Sequence, residues 1–522
     1  MTGLLLSWLC ALGAGAEVSP PPLVEAPELP DAVPALPPGA VTPPPLVEAP
    51  EAPFMPQDFV KGELSVFLGS DRLVTKKSRI GVSIGVDQIG QAFYLALEPQ
   101  VDLRLFDRQL AIGAGVPLRL ELVDLANGPD GLPILTRHQW ELRGKDYVQP
   151  RDFARLLKYV TWGRKEDRLY VNVGQRYASS IGHGALVRRY APNIDVDLTR
   201  VSAQLDAYGD YAGVELFTND VMAWNLPAGL AFVKPLAFFD DGLVARSLSV
   251  GFSAAADTDA PVALAYDAAR GGRQLGADGR FAGGHALALL YGIDAEVKVV
   301  KTPHVDVKPY VDYSVLKGGD AGLTVGALGR FNAFADPVHA FRAIFELRSL
   351  GPRYVPSYFD TFYEVERYAA RELPQPNGIA RYATKLEDVT SGRRPQRLGY
   401  YLEGSWGIRG RVGFTLAVEG TGDSAEKNLV AHLEVPAVDF LQFFGSYYKR
   451  GFVDFGEVAK IDERTILFAG ARLKILPFLF VNGRAFKTFK MDAALRRYDN
   501  SPGFAVDVEL GYEFDLGRDP PG

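Results

Sequence analysis

The stretch Ala92–Leu122, AFYLALEPQVDLRLFDRQLAIGAGVPLRLEL, decides the fold. Phe93, Leu95, Leu97, Val101, Leu103 and Leu105 stand on every second position, and Pro99 completes the row. Tyr94, Glu98, Gln100, Asp102 and Arg104 stand between them. After the turn Phe106–Gln109 the alternation restarts. Leu110, Ile112, Ala114, Val116, Leu118, Leu120 and Leu122 form one face; Ala111, Gly113, Gly115, Pro117, Arg119 and Glu121 form the other. A period of two is that of a β-strand. Soluble strands average about five or six residues, whereas a tilted strand that crosses a bilayer needs roughly nine to eleven. Two successive runs of about 13 residues therefore read as a membrane-spanning hairpin.

The same design recurs. Ala295, Val297 and Val299 oppose Asp294, Glu296 and Lys298 before a turn at Lys301–His304, and Val305, Val307, Val311 and Tyr313 then oppose Asp306, Lys308, Tyr310 and Asp312. Further hairpins are expected around Asp336–Pro337, around Arg409–Gly410 and around Val435–Val438. Thr465–Ile475 alternates as well. In the last run Phe504, Val506, Val508, Leu510, Tyr512 and Phe514 share a face, while Asp507, Glu509, Gly511 and Glu513 take the other. Between tight turns lie longer polar connections: Val123–Asp146, Ser179–Asp195, Ala256–His285, Gly351–Gln396 and Gly420–Lys427. Pro150–Val160 breaks the period and reads as a short helix, with a strand through Ala154–Trp162 as the alternative.

Hydrophobic residues make up 47% of the 522 and mean hydropathy is near zero. No apolar run downstream of the N-terminus reaches the roughly 18 residues of a transmembrane helix. Barrels hide in this way, because half of each strand faces water. The charge is lopsided. Residues 17–60 hold seven acids and no Lys or Arg, and the rest of the chain balances at 56 acids against 56 bases.

Three domains are expected. Met1–Ala16 reads as a secretory signal with its small-residue site at Ala14–Gly15–Ala16. Residues 17–60 form a Pro-rich acidic linker, with 14 of the 36 prolines between Pro20 and Pro56 and the nonapeptide PPPLVEAPE at Pro20–Glu28 and again at Pro43–Glu51. Such a segment favours extended polyproline II and builds no core. It is either a solvated periplasmic tail or, over residues 17–57, a ligand for a periplasmic partner. Residues 61–522 carry the strands. Cys10, the single cysteine, leaves with the signal, so no Cys-based metal or nucleophile site is expected.

The architecture expected is all-β: a transmembrane antiparallel up-and-down barrel of roughly 16–20 strands, with 18 to 20 candidates. Long runs, mixed-sign polar rows and aromatics near strand ends (Phe440, Phe443, Phe444, Tyr447, Tyr448, Phe478, Phe480, Phe486, Phe489), read as interfacial girdles, favour it over a soluble sandwich. On these features residues 61–515 resemble Gram-negative outer-membrane β-barrel proteins of the porin-like kind. The resemblance implies an outer-membrane location, contact with outer-membrane lipid and recognition of Phe504–Phe514 by barrel-assembly machinery. Asp515–Gly522 depart from it, because such proteins usually end on the last aromatic.

Chemistry is sparse. The histidines at 138, 183, 285, 304, 339 and 432 show no metal-ligand spacing, and no nucleophile elbow, phosphate loop or nucleic-acid motif occurs. No cofactor, metal or catalysis is expected. His183, in Ile181–Gly182–His183–Gly184, reads as a solvated loop histidine, with a gate or ligand contact as the alternative. The candidate pore-lining residues are Asp102, Arg104, Arg119, Glu121, Asp306, Asp312, Arg342, Glu346, Arg348, Arg472 and Lys474, because rings of charge confer selectivity. Near-neutrality of the main body argues against strong ion preference. The function expected is passive diffusion of small hydrophilic solutes through a lumen narrowed by inward-folded loops such as Gly351–Gln396. The alternative is an interaction barrel whose external loops bind a partner.

Overall fold

The computed structural model describes residues 78–514, apart from 107–109, 126–139, 148–149, 164–167, 176–177, 268–271, 277–279, 303, 334–338, 374–380, 409–411, 439 and 493–496. The signal, the Pro-rich repeats and the C-terminal octapeptide lie outside these residues, as do the turns at Asp336–Pro337 and Arg409–Gly410.

The chain forms a closed barrel of 20 antiparallel strands. The first five are β1 (Ser78–Ile89), β2 (Ala92–Leu105), β3 (Leu110–Gly115 and, past an irregularity, Leu118–Asp124), β4 (Leu157–Trp162) and β5 (Leu169–Gly174). Next come β6 (Ser202–Tyr208), β7 (Ala212–Thr218), β8 (Pro227–Val233), β9 (Ser249–Val262) and β10 (Gly284–Glu296, continued by Val300–Lys301). Then follow β11 (Val305–Leu316), β12 (Ala321–Ala333), β13 (His339–Leu350), β14 (Arg397–Ile408) and β15 (Val412–Thr421). The last five are β16 (Lys427–Val438), β17 (Leu441–Phe452), β18 (Thr465–Leu476), β19 (Leu479–Asp492) and β20 (Arg497–Phe514). Each strand pairs with its neighbours in sequence, and β20 closes onto β1.

The closing seam shows why this sequence makes this wall. Ile80 faces Tyr512, Val82 faces Leu510, and Ile84 faces Val508 on the outside; Arg79 faces Glu513 and Ser83 faces Glu509 on the inside. Ile80, Ile84, Leu510 and Tyr512 are 54% to 70% exposed, whereas Arg79, Ser83 and Glu509 are buried. The apolar row therefore points out and the charged row points in, as the alternation requires. The exterior continues through Phe252, Ile293, Val325, Phe345, Leu347 and Leu402, all exposed. An outward apolar band over a polar interior is the lipid-facing arrangement. Among the described residues no helix is long and apolar enough to cross a membrane.

The two ends differ. The connections 125–156, 175–201, 263–283 and 351–396 lie at one end. The other end has mostly short turns, together with the start of β1 and the close of β20. Its longest connection holds a 3-10 turn (Pro235–Phe238) and a short helix, α1 (Leu243–Ser247).

Four expectations change. β9 runs on to Val262, so the connection after it is shorter than Ala256–His285. β16 continues to Val438, which pairs with Leu441, so the expected turn at 435–438 lies within the strand. Pro150–Leu156 is a 3-10 helix and Leu157–Trp162 a strand, so each reading of that stretch holds for part of it. Finally, Phe440 and Phe478 are exposed at the rim, but Phe444, Tyr448, Phe480, Phe486 and Phe489 are buried inside the wall. Alternation turns Phe444, Tyr448, Phe480 and Phe486 inward, whereas Phe489 has the other parity and is covered where the end of β19, past its pairing with β18, bonds to the connection 175–201. Phe444, Tyr448, Phe486 and Phe489 pack there against Ala178, Ala191 and Ile194 of a connection folded into the lumen.

Candidate functional site in the barrel lumen

The predicted charged residues sit on the inner row, mostly as buried ion pairs. Arg119 lies between Asp87 (2.9 Å) and Asp146 (3.1 Å). Arg104 reaches Asp102 at 3.3 Å and donates to the Tyr159 hydroxyl at 2.9 Å. Glu121 is half-buried, its main chain bonded to Trp140 and Glu141. Asp306 accepts from Lys298 at 3.0 Å, and Asp312 is buried. Arg472 stands 3.4 Å from Glu509 with its guanidinium 3.8 Å from the Phe480 ring, and Lys474 pairs with Glu513 at 2.9 Å. Arg342, Glu346 and Arg348 lie where a loop crosses the barrel.

That loop is the connection 175–201. Ser179 and Tyr190 exchange both main-chain hydrogen bonds at 2.9 Å, which closes a narrow finger around Gly182–His183–Gly184. Gly182 and Gly184 have φ of +53° and +85°, and Arg189 has φ of +50°. The left-handed region suits glycine and strains an arginine. The finger meets the wall at several strands. Gly182 N–H donates to Glu215 Oε2 on β7 at 2.9 Å. His183 Nε2 lies 2.9 Å from Glu296 on β10, and its ring stacks on Tyr310 at 3.8 Å. Arg188 donates to Glu346 on β13, and Arg189 to Glu403 on β14. Val196 N–H donates to the Phe489 carbonyl, and Phe489 N–H to the Ile194 carbonyl, both at 3.0 Å, on β19. β10 and β19 stand nearly opposite on the ring, so the connection spans the lumen. His183 is thus a packed, paired side chain. The solvated reading fails because the finger folds inward, where Tyr310 and Glu296 await it.

The connection 351–396 also folds inward and lies on the finger. Ser357 N–H donates to the Ala185 carbonyl at 2.7 Å, and Thr361 Oγ1 to the Arg189 carbonyl at 2.8 Å. Tyr363 donates to Asp257 on β9 at 2.6 Å. Arg200 pairs with Glu364 at 2.8 Å and Lys385 with Glu366 at 3.1 Å; Arg450 bonds both Asp360 and Glu366. Burial works against the Glu366 charge, yet Arg450 and Lys385 hold its carboxyl down at about 2. Burial and the neighbouring Asp197 push the Asp195 carboxyl the other way, up to about 6. Val187, Tyr190, Tyr358, Phe359 and Tyr363 are almost wholly buried between the two connections. The lumen therefore holds its own apolar core.

One layer divides the remaining space. A cavity of about 550 Å³ opens on the short-turn side and one of about 50 Å³ on the long-connection side; Arg188, Arg189 and Tyr401 line both. The Arg188 guanidinium lies 4.0 Å from the centre of the Tyr401 ring, that of Arg348 5.2 Å and that of Arg189 6.0 Å. Glu346 accepts from Arg188 at 2.6 Å, from Arg348 at 2.6 Å and from Tyr310 at 2.7 Å. Glu403 bonds Arg189, Arg342 and Tyr401. Arg188, Arg189 and Tyr401 thus stand between the two cavities.

Arg188, Arg189, Tyr401 and Glu403 are absent from the predicted set. Alternation in Leu398–Ile408 already placed Tyr401 and Glu403 inward. Nothing local marked the arginines as crossing the lumen. Among the described residues no group of three His, Cys, Asp or Glu is arranged to hold a metal ion.

No protein-family model and no curated protein matches the chain. Solved structures that resemble it are bacterial outer-membrane proteins. A variant of the ferric enterobactin receptor PfeA from Pseudomonas aeruginosa, in complex with enterobactin, is 9% identical, with 84% of this chain and 81% of that chain covered and a TM-score of 0.32. OccK11 (OpdR) from the same organism is 10% identical, with 84% and 96% covered and a TM-score of 0.30. Wzi of Escherichia coli, a carbohydrate-binding β-barrel involved in group 1 capsule assembly, is 12% identical, with 84% and 85% covered and a TM-score of 0.28.

Proposed function

We propose that this protein is an outer-membrane channel for passive diffusion of small hydrophilic solutes, gated where the finger meets the wall. The observation that carries this reading is that Arg188, Arg189 and Tyr401 line both of two cavities inside a closed barrel with an apolar exterior. A charged, hydrogen-bonding lumen supports solvated solutes over apolar ones. The asymmetry of the ends supports an orientation with short turns in the periplasm and long connections outside. In the same reading Phe504–Phe514 is the segment that assembly machinery binds, and residues 17–57 extend into the periplasm towards a partner.

Purified protein in planar bilayers tests the proposal. Wild-type protein should give small, discrete conductance steps. Tyr401→Ala removes the ring that three guanidinium groups surround and should give larger steps. Silence from both proteins, with the barrel folded, would overturn the channel. The buried aromatics between the connections favour a second reading, a plugged barrel whose long connections bind a partner. That reading expects the silence.

A further inference from the structure

We propose that the cavity on the short-turn side binds small multivalent oxyanions and so gives the channel an anion preference. The binding stands alone; the preference rests on the channel reading. Nine cationic side chains and five carboxylates line this cavity of about 550 Å³. Three more carboxylates stand behind the lining, among them Asp312, the cross-strand partner of Asp294. Asp306 holds Lys298 at 3.0 Å and faces Arg330 at 3.8 Å, and Glu346 holds Arg188 at 2.6 Å. Lys308 pairs with Glu296 at 2.7 Å, Arg246 with Asp241, and both Arg189 and Arg342 with Glu403.

An excess of positive charge remains. Lys234 and Lys301 have no ion pair among the described residues. Lys234 Nζ donates only to the Gly209 carbonyl, at 3.2 Å, and lies 5.8 Å from the Phe232 ring; the carboxylate that acts on it, Asp210, is itself paired with Arg168 at 3.5 Å. Deeper in, the Arg342 Nε is buried without a hydrogen-bond partner among the described residues. One end of the cavity thus holds unpaired ammonium groups and the other an unmet guanidinium donor. Neutrality of the main body hides this, because balance over the chain does not require balance around one cavity. Walls of low dielectric concentrate the field of such an excess. The volume suits a small molecule, and two or more oxyanion groups on one ligand would meet several cations at once. Carboxylate and phosphate share this chemistry, so citrate and pyrophosphate are the probes, with glucose as the uncharged comparison.

Detergent-solubilised full-length protein should bind citrate and pyrophosphate by titration calorimetry and should not bind glucose. The double variant Lys234→Glu, Lys301→Glu should weaken binding roughly tenfold or more, since two charges change sign beside the cavity. Lys317→Glu, at the far end of the barrel, should leave binding unchanged. Heat-modifiable migration in SDS gels verifies that each variant is folded. In bilayers with a salt gradient, the reversal potential of wild type should report anion preference and that of the double variant should shift towards cations. Absent binding, equal binding by wild type and the folded double variant, or cation preference in wild type would overturn the proposal. Citrate binding by a protein silent in bilayers would instead remove the channel and leave the site.

Discussion

Removing the Glu346 carboxylate should unlatch the finger. Glu346 is 1% exposed and accepts five hydrogen bonds: from Arg188 Nη1 (3.3 Å) and Nη2 (2.6 Å), from Arg348 Nε (2.9 Å) and Nη2 (2.6 Å), and from the Tyr310 hydroxyl (2.7 Å). In Glu346→Ala, Arg348 keeps Glu419 at 2.9 Å. Arg188 keeps only the His183 carbonyl and the face of Tyr401. Breaking a buried pair by deleting one partner costs about 3–5 kcal/mol. The finger can relieve that cost by leaving the wall. At about 1.4 kcal/mol per tenfold, the finger-out population should rise by roughly two to three and a half orders of magnitude. The β12–β13–β14 ladder does not depend on this side chain, so heat-modifiable migration should persist. Trypsin is the assay. Arg188 and Arg189 are buried in the wild type and should resist cleavage, whereas in the folded variant they should be cut, and bilayer steps should grow with them. Glu346→Gln keeps the shape and one acceptor while losing the charge, and should fall between, at about 1.5–3 kcal/mol. If the finger of folded Glu346→Ala stays as resistant to trypsin as in the wild type, the latch is not there.

Two further outcomes are expected. A Cβ on Gly85 would lie 2.1 Å from the Val506 carbonyl oxygen and 2.5 Å from Asp507 Cα across the β1–β20 seam. Gly85→Val should therefore cost at least about 1–3 kcal/mol and lower the temperature at which the compact gel band is lost, whereas Gly404→Ala, which points into open space, should not. The Asp195 carboxyl, raised to about 6 from an ordinary value near 3.8, favours the folded connection only when protonated. Its stabilisation is complete below about pH 4 and lost as pH rises through 6. Asp195→Asn should accordingly slow proteolysis of the connection at pH 7.5, by about 1–2 kcal/mol, with no advantage at pH 4; an equal effect at both pH values would refute the assignment.

The wall was legible because each strand declares itself locally. Period two, run length and turn chemistry all act within about a dozen residues, and Phe504–Phe514 carries its inside and outside in its own letters. The contents of the lumen were not legible, because their partners are far apart in sequence. Arg188 meets Glu346 across 158 positions and Arg189 meets Glu403 across 214. Phe444 and Phe486 illustrate the limit. An inward aromatic next to water and an outward aromatic next to lipid have the same composition, and only the connection packed against them distinguishes the two. An inward fold of Gly351–Gln396 was expected, as a loop that narrows the lumen. The finger, whose larger apolar anchors Ile181, Leu186, Val187, Tyr190, Ile194 and Val196 are dispersed among polar residues, passed for a polar loop.

The β1–β20 seam has a consequence for assembly. Its partners are the first and the last strands of the wall, so every intermediate that lacks β20 keeps two open edges with unsatisfied N–H and C=O groups. Lipid gives those groups no alternative bond. Maturation is therefore all-or-none at the last step. A truncation that removes β20 should not leave a slightly smaller pore but an open sheet that quality-control proteases clear, while a circular permutant that joins the two seam strands and opens the ring at a short turn should still close.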